Sequence, residues 1–152
     1  MTYYPYEKFV TDVKKLVQMT KEYNPDTILA IARGGVTLGH AYASATNNRR
    51  LMSLNSILYE EDKRGSKCEI SNLPNLCGAK RVLLLDDIID SGQTIKEVME
   101  QLRLSFPDVE IKIASIYYKS SALVKADFAL HEATDWINFF WEVDFLEENN
   151  EQ

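Results

Sequence analysis

The stretch RVLLLDDIIDSGQT, residues 81–94, constrains the fold more than any other part of this chain. Its apolar run reads as a strand buried on both faces. The run should end at two adjacent carboxylates, Asp86 and Asp87, with Asp90 three residues later and a turn at Ser91-Gly92. Ile95, Val98, Met99 and Leu102 follow at helical spacing. Carboxylates are seldom buried without partners. A strand, an acidic turn and a helix in that order therefore call for water or a ligand at the turn. In open α/β sheets, ligands bind beyond the carboxyl ends of the strands.

The rest of the chain supplies more such units. Tyr6, Phe9, Val10, Val13, Leu16 and Val17 recur at helical spacing, with lysines, Asp12 and Gln18 on the other face. This amphipathic helix should end near Asn24-Pro25. ILAIA, residues 28–32, reads as a buried strand; it breaks at Arg33-Gly34-Gly35, and Val36 to Ala45 can form a helix behind it. LMSLNSILY, residues 51–59, reads as a strand, as do residues 109–117 and, more briefly, 128–130. Residues 60–80 are charged and lack sustained periodicity, which fits either a lid or a surface insertion. Strands alternate with helices, and several strands are continuously apolar. The fold class is therefore α/β, a single domain over 1–152 with a largely parallel sheet flanked by helices.

Composition narrows the function classes. The formal net charge of -6 carries no basic footprint, so no nucleic-acid partner is expected. Cys68 and Cys77 form no C-x-x-C pair and suggest reduced thiols. No signal segment or bilayer-length apolar run is visible, so a cytoplasmic location is expected.

The turn itself suggests a ligand. The start of a helix presents unpaired amides and favours an anion, and Gly92 lets the backbone approach one closely. Ser91 or Thr94 can cap the helix. Asp86 and Asp87 can engage hydroxyls or a hydrated magnesium beside that anion. A phosphorylated sugar satisfies both halves. Neither a G-K-[ST] loop nor a G-x-G-x-x-G loop is present there.

VLLLDDIIDSGQT resembles the phosphoribosyl-diphosphate motif of type I phosphoribosyltransferases. The resemblance extends over nearly the whole chain. ILAIARGGVTLG, residues 28–39, resembles the family's strand and pyrophosphate turn. LYEEDKRGSK, residues 58–67, is similar to part of its flexible active-site loop, taken here as about 58–70. IYYKSS, residues 116–121, resembles the strand end with a base-reading lysine. DWINFFWE, residues 135–142, is similar to the hood, about 131–146, of the small bacterial xanthine-guanine-hypoxanthine enzymes.

The resemblance implies a role for each of these residues. Asp86 and Asp87 would approach the ribose hydroxyls and Mg2+, and Asp90 would be the general base. Ser91, Gly92, Gln93 and Thr94 would cradle the 5'-phosphate. Arg33 and Gly34, with Gly35, would hold pyrophosphate, and Arg64, with Lys63, would neutralise it as it leaves. Lys119 would donate to the purine oxygen O6, and Trp136 or Ile137 would cover the ring while backbone carbonyls read its 2-position. Asp87 and Glu142 are the candidate metal ligands. Ser120 and Phe140 stand where some relatives have proline, which bears on substrate preference.

The implied activity is purine salvage: transfer of the 5-phosphoribosyl group from phosphoribosyl diphosphate to xanthine, guanine or hypoxanthine. Pyrophosphate and a nucleoside monophosphate would be the products, and the enzyme a homodimer or homotetramer. The alternatives are a nucleotide-sensing regulator on the same fold, a transferase for another base, and a non-catalytic module.

Overall fold

The computed structural model describes residues 1–61 and 65–147. Arg64 and Lys63 lie outside the described residues. The elements in chain order are β1 (Thr2–Tyr4), α1 (Tyr6–Met19), β2 (Thr27–Ala32), α2 (Gly35–Ala45), β3 (Leu51–Glu61), β4 (Gly65–Ser71), β5 (Arg81–Ile89), α3 (Gln93–Ser105), β6 (Glu110–Tyr118), β7 (Phe128–Glu132), β8 (Ile137–Phe139) and α4 (Phe140–Val143).

The continuously apolar strands sit at the centre, as burial on both faces requires. The main sheet runs β4-β3-β2-β5-β6-β7, parallel throughout except for the antiparallel β3–β4 edge. Phe9, Val13 and Leu16 of α1 and Leu38 and Tyr42 of α2 pack on one face, against Ile28, Leu83 and Leu85. Ile95, Val98, Met99 and Leu102 of α3 cover the other, against Leu29, Val82 and Leu84. This is the three-layer architecture the sequence implies. A second sheet pairs β1 with β8 in parallel, joining Thr2 to Ile137 and Tyr4 to Phe139.

Four local features depart from the sequence reading. α1 stops at Met19, short of Asn24-Pro25; Thr20 caps its end by donating its hydroxyl to the Leu16 carbonyl (2.9 Å). Asp12 is buried rather than solvated. Its carboxylate accepts the Tyr4 hydroxyl at 2.6 Å, and His131 Nε2 lies 2.9 Å away. The first part of the aperiodic 60–80 segment is the hairpin strand β4, and Leu76 then anchors the connection in the core. Finally, β5 does not end before the acids. It continues to Ile89, because β6 pairs with it through Tyr118.

That extension is irregular. Along β5, Leu83, Leu85 and Ile88 pack on the α1–α2 face, whereas Val82, Leu84 and Ile89 pack on the α3 face. Strict alternation would put Ile88 with Val82, so the faces slip by one residue around the acid pair. β6 slips at the same level, with Ala114, Ile116 and Tyr117 on one face and Ile113 and Tyr118 on the other. Such slips re-aim side chains where strands leave a sheet.

Candidate active site

The re-aimed end of β5 carries the acid pair. Asp87 is buried and Asp86 half-buried. The Asp87 amide donates to Asp86 Oδ1 (2.9 Å) and the Ile88 amide to Asp87 Oδ1 (2.7 Å). Burial pushes the Asp86 carboxyl well above the usual aspartate range, and the adjacent Asp87 charge adds to that. Burial likewise raises Asp87, against the hydrogen bonds it accepts. Glu142, from α4, is raised by burial and by the charge of Asp87, with Arg33 opposing the shift. Asp87, Glu142 and Arg33 therefore share one electrostatic neighbourhood, although 109 residues separate Arg33 from Glu142 in the sequence.

The Arg33-Gly34 turn lies directly against the acids. A Cβ on Gly34 would collide with the Asp87 carboxylate, so a larger residue there would push that acid aside. The Ala32–Arg33 peptide is cis.

Beyond Asp90 the chain turns into α3. Gly92 adopts φ +84°, a conformation that favours glycine, and a Cβ there would meet the Leu123 and Val124 amide nitrogens at 2.8 Å. Ser91 Oγ accepts the Gln93 amide at 3.2 Å, and the Ser91 carbonyl accepts the Leu123 amide at 2.8 Å. A cavity of about 260 Å³ opens here, lined by Asp86, Asp90, Ser91, Gly92 and Thr94 and roofed by Leu58 of β3. Gln93 is not in its lining; its side-chain amide donates to Glu97 at 2.8 Å.

A neighbouring cavity of about 180 Å³ shares Ile88 and Asp90 with the first. Asp87, Lys119, Trp136, Ile137 and Glu142 also line it. Lys119 Nζ pairs with Asp90 Oδ1 at 2.7 Å across its mouth. Both side chains are well exposed, so the pair is weak and separable. Trp136 is 68% exposed and Ile137 only 7%, so of these two lining residues one faces solvent and the other is buried. Phe139, Phe140 and Trp141, the other aromatics of this segment, pack into the core with Tyr4 and Phe9. The Trp136 carbonyl accepts the Thr2 amide at 2.8 Å.

Sequence reasoning missed Ile88, Asp135 and Phe139 as lining residues, while Leu58 belongs to the expected active-site loop. Asp135 carried a signal, since it opens the hood segment. Phe139 is apolar and reads as ordinary core. The candidate metal ligands can be tested by their chemistry. Among the described residues, no three His, Cys, Asp or Glu side chains form a metal-holding group. Crowded carboxylates with raised proton affinity nevertheless suit a hard cation that takes most of its oxygens from a bound substrate, as magnesium does.

A family model described as phosphoribosyl transferase domain matches residues 2–148. The chain belongs to the type I phosphoribosyltransferases. A solved xanthine-guanine-hypoxanthine phosphoribosyltransferase from Helicobacter pylori superposes with a TM-score of 0.88 at 34% identity, covering 94% of each chain. A purine phosphoribosyltransferase from Pyrococcus horikoshii gives 0.80 at 27% identity, covering 97% of this chain and 98% of its own. The xanthine-guanine phosphoribosyltransferase of Chromohalobacter salexigens is 27% identical over 134 residues, 87% of this chain and 78% of that protein. No helix among the described residues of this phosphoribosyltransferase is long and apolar enough to cross a membrane.

Proposed function

We propose that this phosphoribosyltransferase transfers the 5-phosphoribosyl group from phosphoribosyl diphosphate to a 6-oxopurine and releases pyrophosphate. One observation carries the reading. Asp87, Asp90, Lys119, Trp136, Ile137 and Glu142 line a single cavity that adjoins the Ser91–Thr94 turn. The similarity to relatives named for xanthine, guanine and hypoxanthine supports the choice of base.

In this mechanism the 5'-phosphate rests on the Ser91, Gly92 and Thr94 backbone at the start of α3. Asp86 and Asp87 hold the ribose hydroxyls. Arg33 and the backbone at Gly34 hold the diphosphate, and Arg64 adds charge as it leaves. Magnesium, when bound with the diphosphate, supplies further positive charge for the leaving oxygens. The bond between the anomeric carbon and the pyrophosphate oxygen breaks while a purine ring nitrogen bonds to that carbon. Asp90 takes the proton the purine releases. Lys119 leaves Asp90 to donate to the 6-oxygen. Trp136 closes over the ring and Ile137 forms its floor. Exclusion of water from the site protects the activated sugar from hydrolysis.

A steady-state assay tests the proposal. Purified protein with phosphoribosyl diphosphate and magnesium is offered xanthine, guanine, hypoxanthine, adenine and uracil. Turnover is expected with 6-oxopurines alone. Faster turnover of adenine or uracil would overturn the substrate class, and no turnover despite binding of the diphosphate would overturn catalysis.

A further inference from the structure

A cavity of about 930 Å³ lies at the far end of the strands from the acids. Asp26 and Arg50, which precede β2 and β3, line it, with Lys21, Asn24, Asn48 and Arg49. An adjoining cavity of about 420 Å³ shares Asn48 and Arg49 and adds His40, extending the groove along α2.

The C-terminal ends of α1 and α2 both border this groove. Helix ends of that kind normally present free carbonyls and repel anions. Here several are already engaged. Thr20 Oγ donates to the Leu16 carbonyl (2.9 Å), Thr46 Oγ to the Tyr42 carbonyl (2.8 Å), and the Asn48 amide to the Ala43 carbonyl (2.9 Å). Asp26 is the single acid in the lining. Its carboxylate accepts the Arg81 amide at 2.7 Å, the Lys80 amide at 3.0 Å and the Thr27 hydroxyl at 2.9 Å. Lys21, Arg49 and Arg50 form no ion pair among the described residues. The Asn48 side-chain amide is likewise engaged, on the Asp26 carbonyl at 3.2 Å. The groove therefore gathers three cations without ion-pair partners among the described residues, in a chain of net charge -6.

We propose that this groove is a second ligand site, for a phosphorylated small molecule of nucleotide size. Its volume falls within the roughly 300–1,000 Å³ of small-molecule sites. Guanidinium groups match phosphate oxygens in bidentate fashion, and several cations favour a triphosphate over a single phosphate. Two elements run between this groove and the catalytic end. β2 (Thr27–Ala32) joins Asp26 to the Arg33 turn, and α2 (Gly35–Ala45) leads back to its C-cap Thr46.

The test uses ATP and inorganic triphosphate as probes, with binding followed by calorimetry on the full chain. Saturable binding is expected, and an Arg49→Glu/Arg50→Glu variant should weaken it at least tenfold. That variant should keep the wild-type kcat and the KM for phosphoribosyl diphosphate when no probe is present. Lys21→Gln should weaken binding a few-fold, and it carries the test if the double variant fails to fold. Absence of binding by both probes would overturn the proposal. So would binding that is competitive with phosphoribosyl diphosphate and indifferent to all three substitutions, which would place the probe in the catalytic site. A groove covered by a second copy, seen as no probe binding and a lower mass for the double variant, would overturn it as well.

Discussion

The acidic turn and the hood face the same cavity, yet they are assembled from opposite kinds of contact. The turn is one contiguous strand-to-helix passage. It is braced by its sheet neighbour, through the Lys119 amide on the Ile89 carbonyl and the Leu123 amide on the Ser91 carbonyl. The hood is held from the far end of the chain. β8 pairs with β1, and the Tyr4 ring meets Phe139, Tyr117 and Trp141 edge-on at 5.4, 5.7 and 5.9 Å between centroids. The Tyr4 hydroxyl reaches Asp12, which also faces His131. The difference teaches where function and stability separate. Residues of the turn that face solvent can change chemistry while leaving the fold alone. Residues behind the hood cannot.

The largest expected effect is at the turn. Asp90→Asn should lower kcat by about 10²–10⁴-fold, the scale of a lost general base. Asp90 is exposed, so the melting temperature should hold; a comparable loss of stability would break the contrast. On the hood side, Tyr4→Ala should cost about 3–5 kcal/mol in urea unfolding, as for other large aromatics truncated in a core. It should also raise the KM for the purine more than that for phosphoribosyl diphosphate. Trp136→Ala separates the exposed part of the hood from its buried part. It should raise the purine KM about tenfold, within the ~1–3 kcal/mol of base stacking, and leave unfolding unchanged.

The smallest effect sharpens the comparison from the turn's buried side. Asp87→Asn should stabilise the ligand-free protein by about 1 kcal/mol, the usual scale of relief at a strained functional site. The pH dependence has a definite sign. Folding raises the proton affinity of Asp86 and Asp87, so the folded chain keeps protons that the unfolded chain has lost. Their contribution to ligand-free stability is therefore most favourable below the ordinary aspartate value. It is lost as pH rises through the raised folded values. Thermal melts across that range should show the decline in wild type and a shallower one in Asp87→Asn.

The same contrast explains what could be read in the sequence. The strand-to-helix unit at residues 81–102 shows its period, its glycine and its acids in one window, so the turn was legible there. The end of β5 was not, because its extension to Ile89 depends on pairing with β6. Apolar periodicity located α1, but Asp12 looked solvated; its burial depends on Tyr4 and His131, which lie outside the helix. β1 is too short to show any alternation, and its partner lies 135 residues along the chain. β4 is an edge strand with Lys67 and Glu69 in its ladder, so it lacks the continuous apolar run that marked its central neighbours. Six of the expected site residues nevertheless meet at one cavity, because each sits at or just beyond an element that the sequence did mark.

The parallel pairing of β1 with β8 also sets an order of events during synthesis. The strand made first has its partner near the other end of the chain, and at about 5–20 residues per second it waits on the order of ten seconds for it. The central layers can close during that wait, whereas the cavity floored by Ile137 of β8 cannot. On the proposed roles, a ribosome-bound chain would thus gain the sugar-phosphate half of its site before the purine half, and chains cut short before β8 would lack both the purine half and the aromatic packing on Tyr4.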